Sequence, residues 1–214
     1  MRVSLRMVLC TAGGSIWAAG VAFGLWRFWQ YEQTPGRAAR PVATLPADEQ
    51  APAEHRLPTL LLSIHPQCPC SRATISELDR LMAECQGKVR AVVLMERPAG
   101  MPPGWEQSDL WRSAAAIRGV TVQVDPDGAR SRRLGALTSG QAFLYSADGK
   151  LLFTGGITES RGHAGDNAGR SAIAAIVLGS CATPAVPVST PVFGCPLFED
   201  DGVCQNATEA ACPK

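Results

Sequence analysis

The 214-residue chain lacks an excess of either charge: 20 lysines and arginines stand against 19 aspartates and glutamates, a formal net charge of +1. Nucleic-acid binders carry a large basic surplus or a concentrated basic stripe, so this balance argues against that class. No internal repeat is present, which argues against solenoid and propeller architectures. Charge is missing altogether from the 20 residues Met7 to Trp26, between Arg6 and Arg27. At about 1.5 Å per residue they make a helix near 30 Å long, the thickness of a bilayer's hydrocarbon core. Trp26, Trp29 and Tyr31 stand where interfacial aromatics stand. No small-x-small cleavage site closes the stretch, and Leu9 precedes Cys10 where lipid attachment calls for a small residue. The expectation is an uncleaved anchor over residues 1–30 rather than a removed signal. Arg2 and Arg6 on one side and Arg27, Arg37 and Arg40 on the other give little positive-inside contrast. Eight cysteines are many for a cytosolic chain. They place the domain on the periplasmic or other extracytoplasmic side of a cell inner membrane, which the chain crosses once.

What is present suffices for a core, with 46% hydrophobic and 18% charged residues. Residues 31–56, with Pro35, Pro41, Pro46 and Pro52, read as a linker holding the domain off the membrane. The domain occupies residues 57–179. Residues 59–65 form a short apolar run, the mark of a buried strand. From Ser71, the apolar positions Ile75, Leu78, Leu81, Met82 and Cys85 share one helical face, and Gly87 closes that helix. Cys85 on that face is a core residue. A second strand follows over residues 89–96, then a short helix around 109–117, a third strand over 120–124 and a brief helix over 129–135. Strands at 141–146 and 151–157 flank Ala147-Asp-Gly149, a hairpin signal, and a last helix runs over 169–178. This order is that of a mixed α/β sandwich, with the first two strands parallel by the right-handed crossover rule. Residues 180–214 carry Cys181, Cys195, Cys204 and Cys212 among prolines without periodicity, an irregular tail that disulfides would pin.

The chemistry concentrates in His65-Pro-Gln-Cys68-Pro-Cys70-Ser71, between the first strand and the first domain helix. A cysteine there meets unpaired amides and the positive end of the helix dipole, which favour the thiolate that attacks in thiol–disulfide exchange. One intervening residue allows a Cys68–Cys70 bridge, though the small ring is strained.

At these residues the chain resembles the thioredoxin-like superfamily over about residues 57–179. The strand, cysteine turn and helix, Asp125-Pro-Asp-Gly128, Leu134-Gly-Ala136 and the hairpin are similar to membrane-anchored, TlpA-type members. Cys68-Pro-Cys-Ser71, Thr138-Ser-Gly-Gln141, Gly155-Gly-Ile-Thr158 and Ser160-Arg-Gly-His163 resemble a RedB-like branch. The resemblance implies a thioredoxin-like three-layer α/β sandwich and thiol–disulfide exchange with protein thiols or disulfides. Two departures stand out. The family's first cysteine position holds Gln67, with Cys68 displaced by one, and Gly140-Gln141 replaces the cis-proline that receives the substrate chain.

In this topology the polar loop Thr158–Arg170 returns to the cysteines. It brings His163 as an acid/base or metal ligand, Arg161, and Asp166 and Asn167 as caps of the last helix. Glu96 and Arg97 end the second strand at the same edge as a solvated charge pair, and Trp105 and Trp111 pack as core or cover the cleft. Cys195, in Pro191-Val-Phe-Gly-Cys-Pro-Leu197, either resolves a disulfide of Cys68 or Cys70 or pairs with another tail cysteine. The catalytic candidates are thus Cys68, Cys70, His163 and Cys195, with Cys70 expected as the more helix-stabilised thiolate and Cys68 as the more exposed. An oxidoreductase of this kind needs no cofactor. The alternative is a copper-delivery module, in which Cys68, Cys70 and His163, with His65 or Cys195 as further donors, hold Cu(I), or zinc. A third reading is a silent tethered interaction domain.

Overall fold

The computed structural model describes residues 5–50 and 57–198. Pro52, Cys204 and Cys212 lie outside the described residues. Helix α1, Leu5–Gln33, carries apolar side chains all round its charge-free stretch, and none of that apolar stretch is buried in the protein. From Arg6 to Gln33 it is long and apolar enough to cross a membrane. It continues past the charge-free stretch because nothing breaks it before Pro35, which biases Thr34 away from helical backbone.

The domain is one six-stranded sheet in the order β3-β2-β1-β4-β5-β6, with helices on both faces. Its strands are β1 Thr59–Ile64, β2 Arg90–Arg97, β3 Val120–Pro126, β4 Gln141–Tyr145, β5 Leu151–Gly155 and β6 Val188–Ser189. The helices are α2 Ser71–Cys85, α3 Asp109–Ala115, α4 Ala129–Leu134 and α5 Ala168–Leu178. Strands β1, β2 and β3 run parallel, and β4 is antiparallel to both β1 and β5. All six residues of β1 are buried, as a central strand covered on both faces must be. Leu60, Leu62 and Ile64 face the larger core under α2, α3 and α5, with Leu78, Leu81, Cys85 and Ile173. Leu61 faces the second core beside α4, with Phe143, Tyr145 and Leu134. The cysteine turn therefore leaves the middle of the sheet.

Two segments depart from the sequence expectation. Residues 36–49, read as a spacer, lie along the domain instead. Leu45 is buried in the second core, its amide donates to the Gly149 carbonyl at 2.7 Å, and the Leu151 amide donates to Ala43 at 2.9 Å. Glu49, also buried, receives the Arg130 and Arg133 guanidiniums. The physical reason is that α4, only six residues long, leaves that sheet face short of cover. A Pro-rich composition is compatible with either a free or a docked extended segment. From Val188 the described part of the tail is docked too. Strand β6 pairs with β5, and Val192, Phe193, Leu197 and Phe198 are buried, so hydrogen bonds and apolar packing hold it.

Leu45→Ala should cost about 2–4 kcal/mol of stability, as other buried leucines do. Thermal unfolding of the full chain measures it; an unchanged transition would show that residues 36–49 are dispensable for the fold.

Candidate thiol site

The turn after β1 is built from short backbone bonds: Cys68 N to His65 O at 3.1 Å, Ser71 N to Cys68 O at 3.1 Å and Ala73 N to Cys70 O at 3.2 Å. Cys70 is the N-cap of α2, and its side chain makes no capping hydrogen bond. The loop before β4 fixes this turn from the far side. The Ser139 hydroxyl accepts from the His65 amide at 2.8 Å and shares a hydrogen bond with the Ser71 hydroxyl at 2.7 Å. Gly140, in the left-handed region at φ +96°, donates to Ser63 O at 2.8 Å.

The tail brings the third cysteine. Residues 194–197 run antiparallel to residues 137–139, with Ser139 N donating to Cys195 O at 2.8 Å and Leu197 N to Leu137 O at 2.9 Å. A glycine is required at 194, where a Cβ would run into the Ser139 carbonyl. This pairing sets the Cys195 amide 3.4 Å from the Cys68 sulfur and gathers the sulfurs of Cys68, Cys70 and Cys195 within 4.8 Å of one another.

The three thiols are electrostatically unequal. The Cys195 thiol hydrogen-bonds to Cys68 and, with the Ser71 hydroxyl and the Cys195 and Ser71 amides, outweighs burial and pulls the Cys68 pKa down to about 4. Cys195, the donor to that anion, is pushed well above the ordinary thiol range. Burial and the neighbouring Cys68 charge push Cys70 up as well. This reverses the sequence expectation: Cys68 is the thiolate and is only 1% exposed, whereas Cys70 is 9% exposed. The reason is that the Ser71 amide at the start of α2 and the Cys195 amide of the tail both address the sulfur two residues before the cap.

The parallel β1-α2-β2 unit with its cysteines at the head of α2, the third parallel strand beyond it and the antiparallel β4-β5 hairpin on the other side decide the architecture. The domain has a thioredoxin-like fold. No family model matches the chain, and no curated protein matches it. Among solved structures it is similar to an uncharacterized conserved protein from Geobacillus kaustophilus, with a TM-score of 0.54 and 18% identity over 77% of this chain and 91% of that one. A hypothetical protein from Sinorhizobium meliloti 1021 has a TM-score of 0.53 and 18% identity, over 76% and 93% of the two chains. A secreted Mycobacterium tuberculosis disulfide oxidoreductase, described as homologous to E. coli DsbE, has a TM-score of 0.42 and 19% identity, over 67% and 95%.

Other expected site residues of the thioredoxin-like domain sit apart from the sulfurs. His163 is not in the group; its Nε2 meets Glu32 of α1 at 3.0 Å, with its side chain 58% exposed. His65 accepts the Gln67 amide at Nδ1 and stacks edge-on with Trp105, while Trp111 packs on the larger core. Asn167 caps α5 by accepting from Arg170 N at 2.7 Å, whereas Asp166 pairs with the Arg170 guanidinium instead. Glu96 and Arg97 are not a solvated pair. Strand alternation turns them to opposite faces: Arg97 meets Glu106 at 3.8 Å, and burial pushes Glu96 to about 7.

Sequence reasoning missed Ser71 and Ser139, and also the work of Arg161 and Glu77. Arg161 donates to the Gly194 carbonyl and, at 3.1 Å, to Tyr31 O, clamping the tail to the end of α1. Glu77, fully buried, accepts Gly165 N at 2.8 Å and forms an ion pair with the Arg170 guanidinium at 2.9 Å, fixing the loop that carries Arg161. In sequence Glu77 reads as one of the polar residues, with Asp79, Arg80 and Glu84, that cover the outer faces of α2, so no local signal marked its burial.

In the fully reduced chain, thiolate ultraviolet absorbance should show a step near pH 4 that Cys68→Ser abolishes and Cys195→Ala moves upward. The folded pKa lies below the unfolded one, so the stability this ion contributes is complete above the unfolded thiol value and lost as pH falls through about 4. A step remaining in Cys68→Ser would assign the anion elsewhere. Arg161→Ala should speed alkylation of Cys68 and Cys195 on the order of tenfold, the equivalent of one lost charge-assisted hydrogen bond. An unchanged rate, followed by peptide mass spectrometry, would remove the clamp.

Proposed function

We propose that the chain is a membrane-anchored thiol–disulfide oxidoreductase whose working pair is Cys68 and Cys195, with its domain on the extracytoplasmic side. The observation that carries this reading is the Cys195 thiol and amide held on the Cys68 sulfur. The apolar helix from Arg6 to Gln33 and the cysteine-rich composition support the location.

In the oxidised form Cys68 and Cys195 share a disulfide. Cys195 is the half-buried sulfur and Cys68 the buried one, so an incoming partner thiolate attacks Cys195. The Cys195–Cys68 bond breaks, and Cys68 leaves as the thiolate that the Ser71 and Cys195 amides stabilise. A low-pKa leaving group accelerates this step. The partner's second thiolate then attacks its own sulfur in the mixed disulfide and expels Cys195, which takes up a proton. Two electrons pass from the partner dithiol to the protein, and an external disulfide oxidant returns the pair to its starting state. Stabilising the reduced form in this way makes the disulfide oxidising. Cys70 is a neighbouring neutral thiol, and a bridge from it to Cys68 would close a strained small ring.

Full-length, detergent-solubilised protein equilibrated in thiol redox buffers, then trapped and digested, should show one reversible Cys68–Cys195 disulfide with a midpoint above about −200 mV. Cys70→Ser should retain it and Cys195→Ser should lose it. Thiols that stay reduced throughout, or a Cys68–Cys70 bridge with Cys195 free, would overturn the assignment.

A further inference from the structure

The sulfurs of Cys68, Cys70 and Cys195 form a group confined within 4.8 Å, and among the described residues no histidine or carboxylate joins them. We propose that these three sulfurs form a Cu(I) site. The proposal is independent of the exchange reading, since the same sulfurs can bind an ion whether or not they turn over.

Each feature of the group points to a soft monovalent ion of low coordination number. Thiolate donors exclude magnesium and calcium, which require oxygen ligands. Structural zinc takes four protein donors in a tetrahedron, and among the described residues three are gathered here. Cu(I) favours soft sulfur and is satisfied by three of them. The surroundings suit the negative charge of such a cluster. The Cys195 amide points at the Cys68 sulfur, and Arg161 sits over the same segment through the Gly194 carbonyl. Outer contacts of this kind orient and tune metal ligands. The site is also shielded, because Cys68 is buried beneath the docked tail, away from water that would promote oxidation of the ion.

The three ligands come from two segments with distinct holds on the fold. Cys68 and Cys70 are fixed by the turn into α2, while Cys195 arrives by the pairing of residues 194–197 with 137–139. Displacing the tail would remove one ligand and leave two. Ion and disulfide also exclude each other. When Cys68 and Cys195 give two electrons to a partner disulfide, that disulfide becomes two thiols, the new Cys68–Cys195 bond removes two ligands, and Cu(I) departs with its oxidation state unchanged.

The test uses full-length reduced protein in detergent with Cys10, Cys181, Cys204 and Cys212 replaced by serine, titrated with Cu(I) against a chromogenic Cu(I) chelator. One ion per chain should be held, and Cys195→Ser should weaken it by at least about 100-fold, beyond the usual loss of an outer contact. Copper X-ray absorption on the unvaried four-serine protein should show a shell of three sulfurs. No ion held against the chelator, equal affinity in Cys195→Ser, or a shell of two sulfurs would overturn the site. The absorption measurement stands even if the Cys195 variant does not fold. Redox titration of the metal-free protein reports exchange separately, so either reading can fail alone.

Discussion

The pairing of Ser139 N with Cys195 O is the constraint on which the site depends. It fixes the height of the tail on the domain, and only at that height does the Cys195 amide reach the Cys68 sulfur. The anion at Cys68, the protonated state of Cys195 and the gathering of three sulfurs all follow from this one register. Glycine at 194 is its steric condition, because any side chain would lift the tail off Ser139. Ser139 works on both sides at once, since its hydroxyl also holds the His65 amide and Ser71. The turn and the tail are therefore positioned by the same residue.

The clamp does not end at the tail. Arg161 joins Gly194 to the last turns of α1, its guanidinium lying 4.8 Å from the Tyr31 ring, and His163 meets Glu32 beside it. Beyond that helix, Gly36 N donates to Val192 O at 2.7 Å and Thr138 Oγ1 to Arg37 O at 2.6 Å. The segment leaving α1 thus covers the segment that covers the cysteines. The polar loop that looked like a source of catalytic groups is instead the joint between the apolar helix, the tail and the thiol turn. Its rigidity comes from Glu77, whose buried carboxylate is offset by Arg80, Arg170 and the Gly165 amide. A buried charge held this way is costly to disturb, because removing one partner leaves the other uncompensated.

The order of strands and helices was legible because each element carries its own local period. The continuous apolar run of β1, the 3.6-residue spacing of α2 and the Asp-Gly turn between β4 and β5 need no knowledge of the rest of the chain. The position of Cys68 and Cys70 at the head of α2 was legible for the same reason. The roles of the two were not. Which sulfur carries the charge depends on donors as far away in the chain as residue 195, and the helix dipole alone favours the wrong one. His163 was misplaced by a similar route: the loop does return to the correct edge of the sheet, but its histidine meets a glutamate of α1.

Sequence by itself determined an apolar N-terminal helix, an α/β domain with cysteines at a strand-to-helix turn, and a third cysteine in a Pro-Val-Phe-Gly-Cys-Pro-Leu run, since these rest on composition and short-range spacing. Tertiary structure alone decided that residues 36–49 and 188–198 belong to the domain and that Cys195 sits on Cys68. Both segments are extended chains without a period of their own. Their place is set by backbone amides and carbonyls that every residue possesses, and by burial against surfaces assembled from distant parts of the chain.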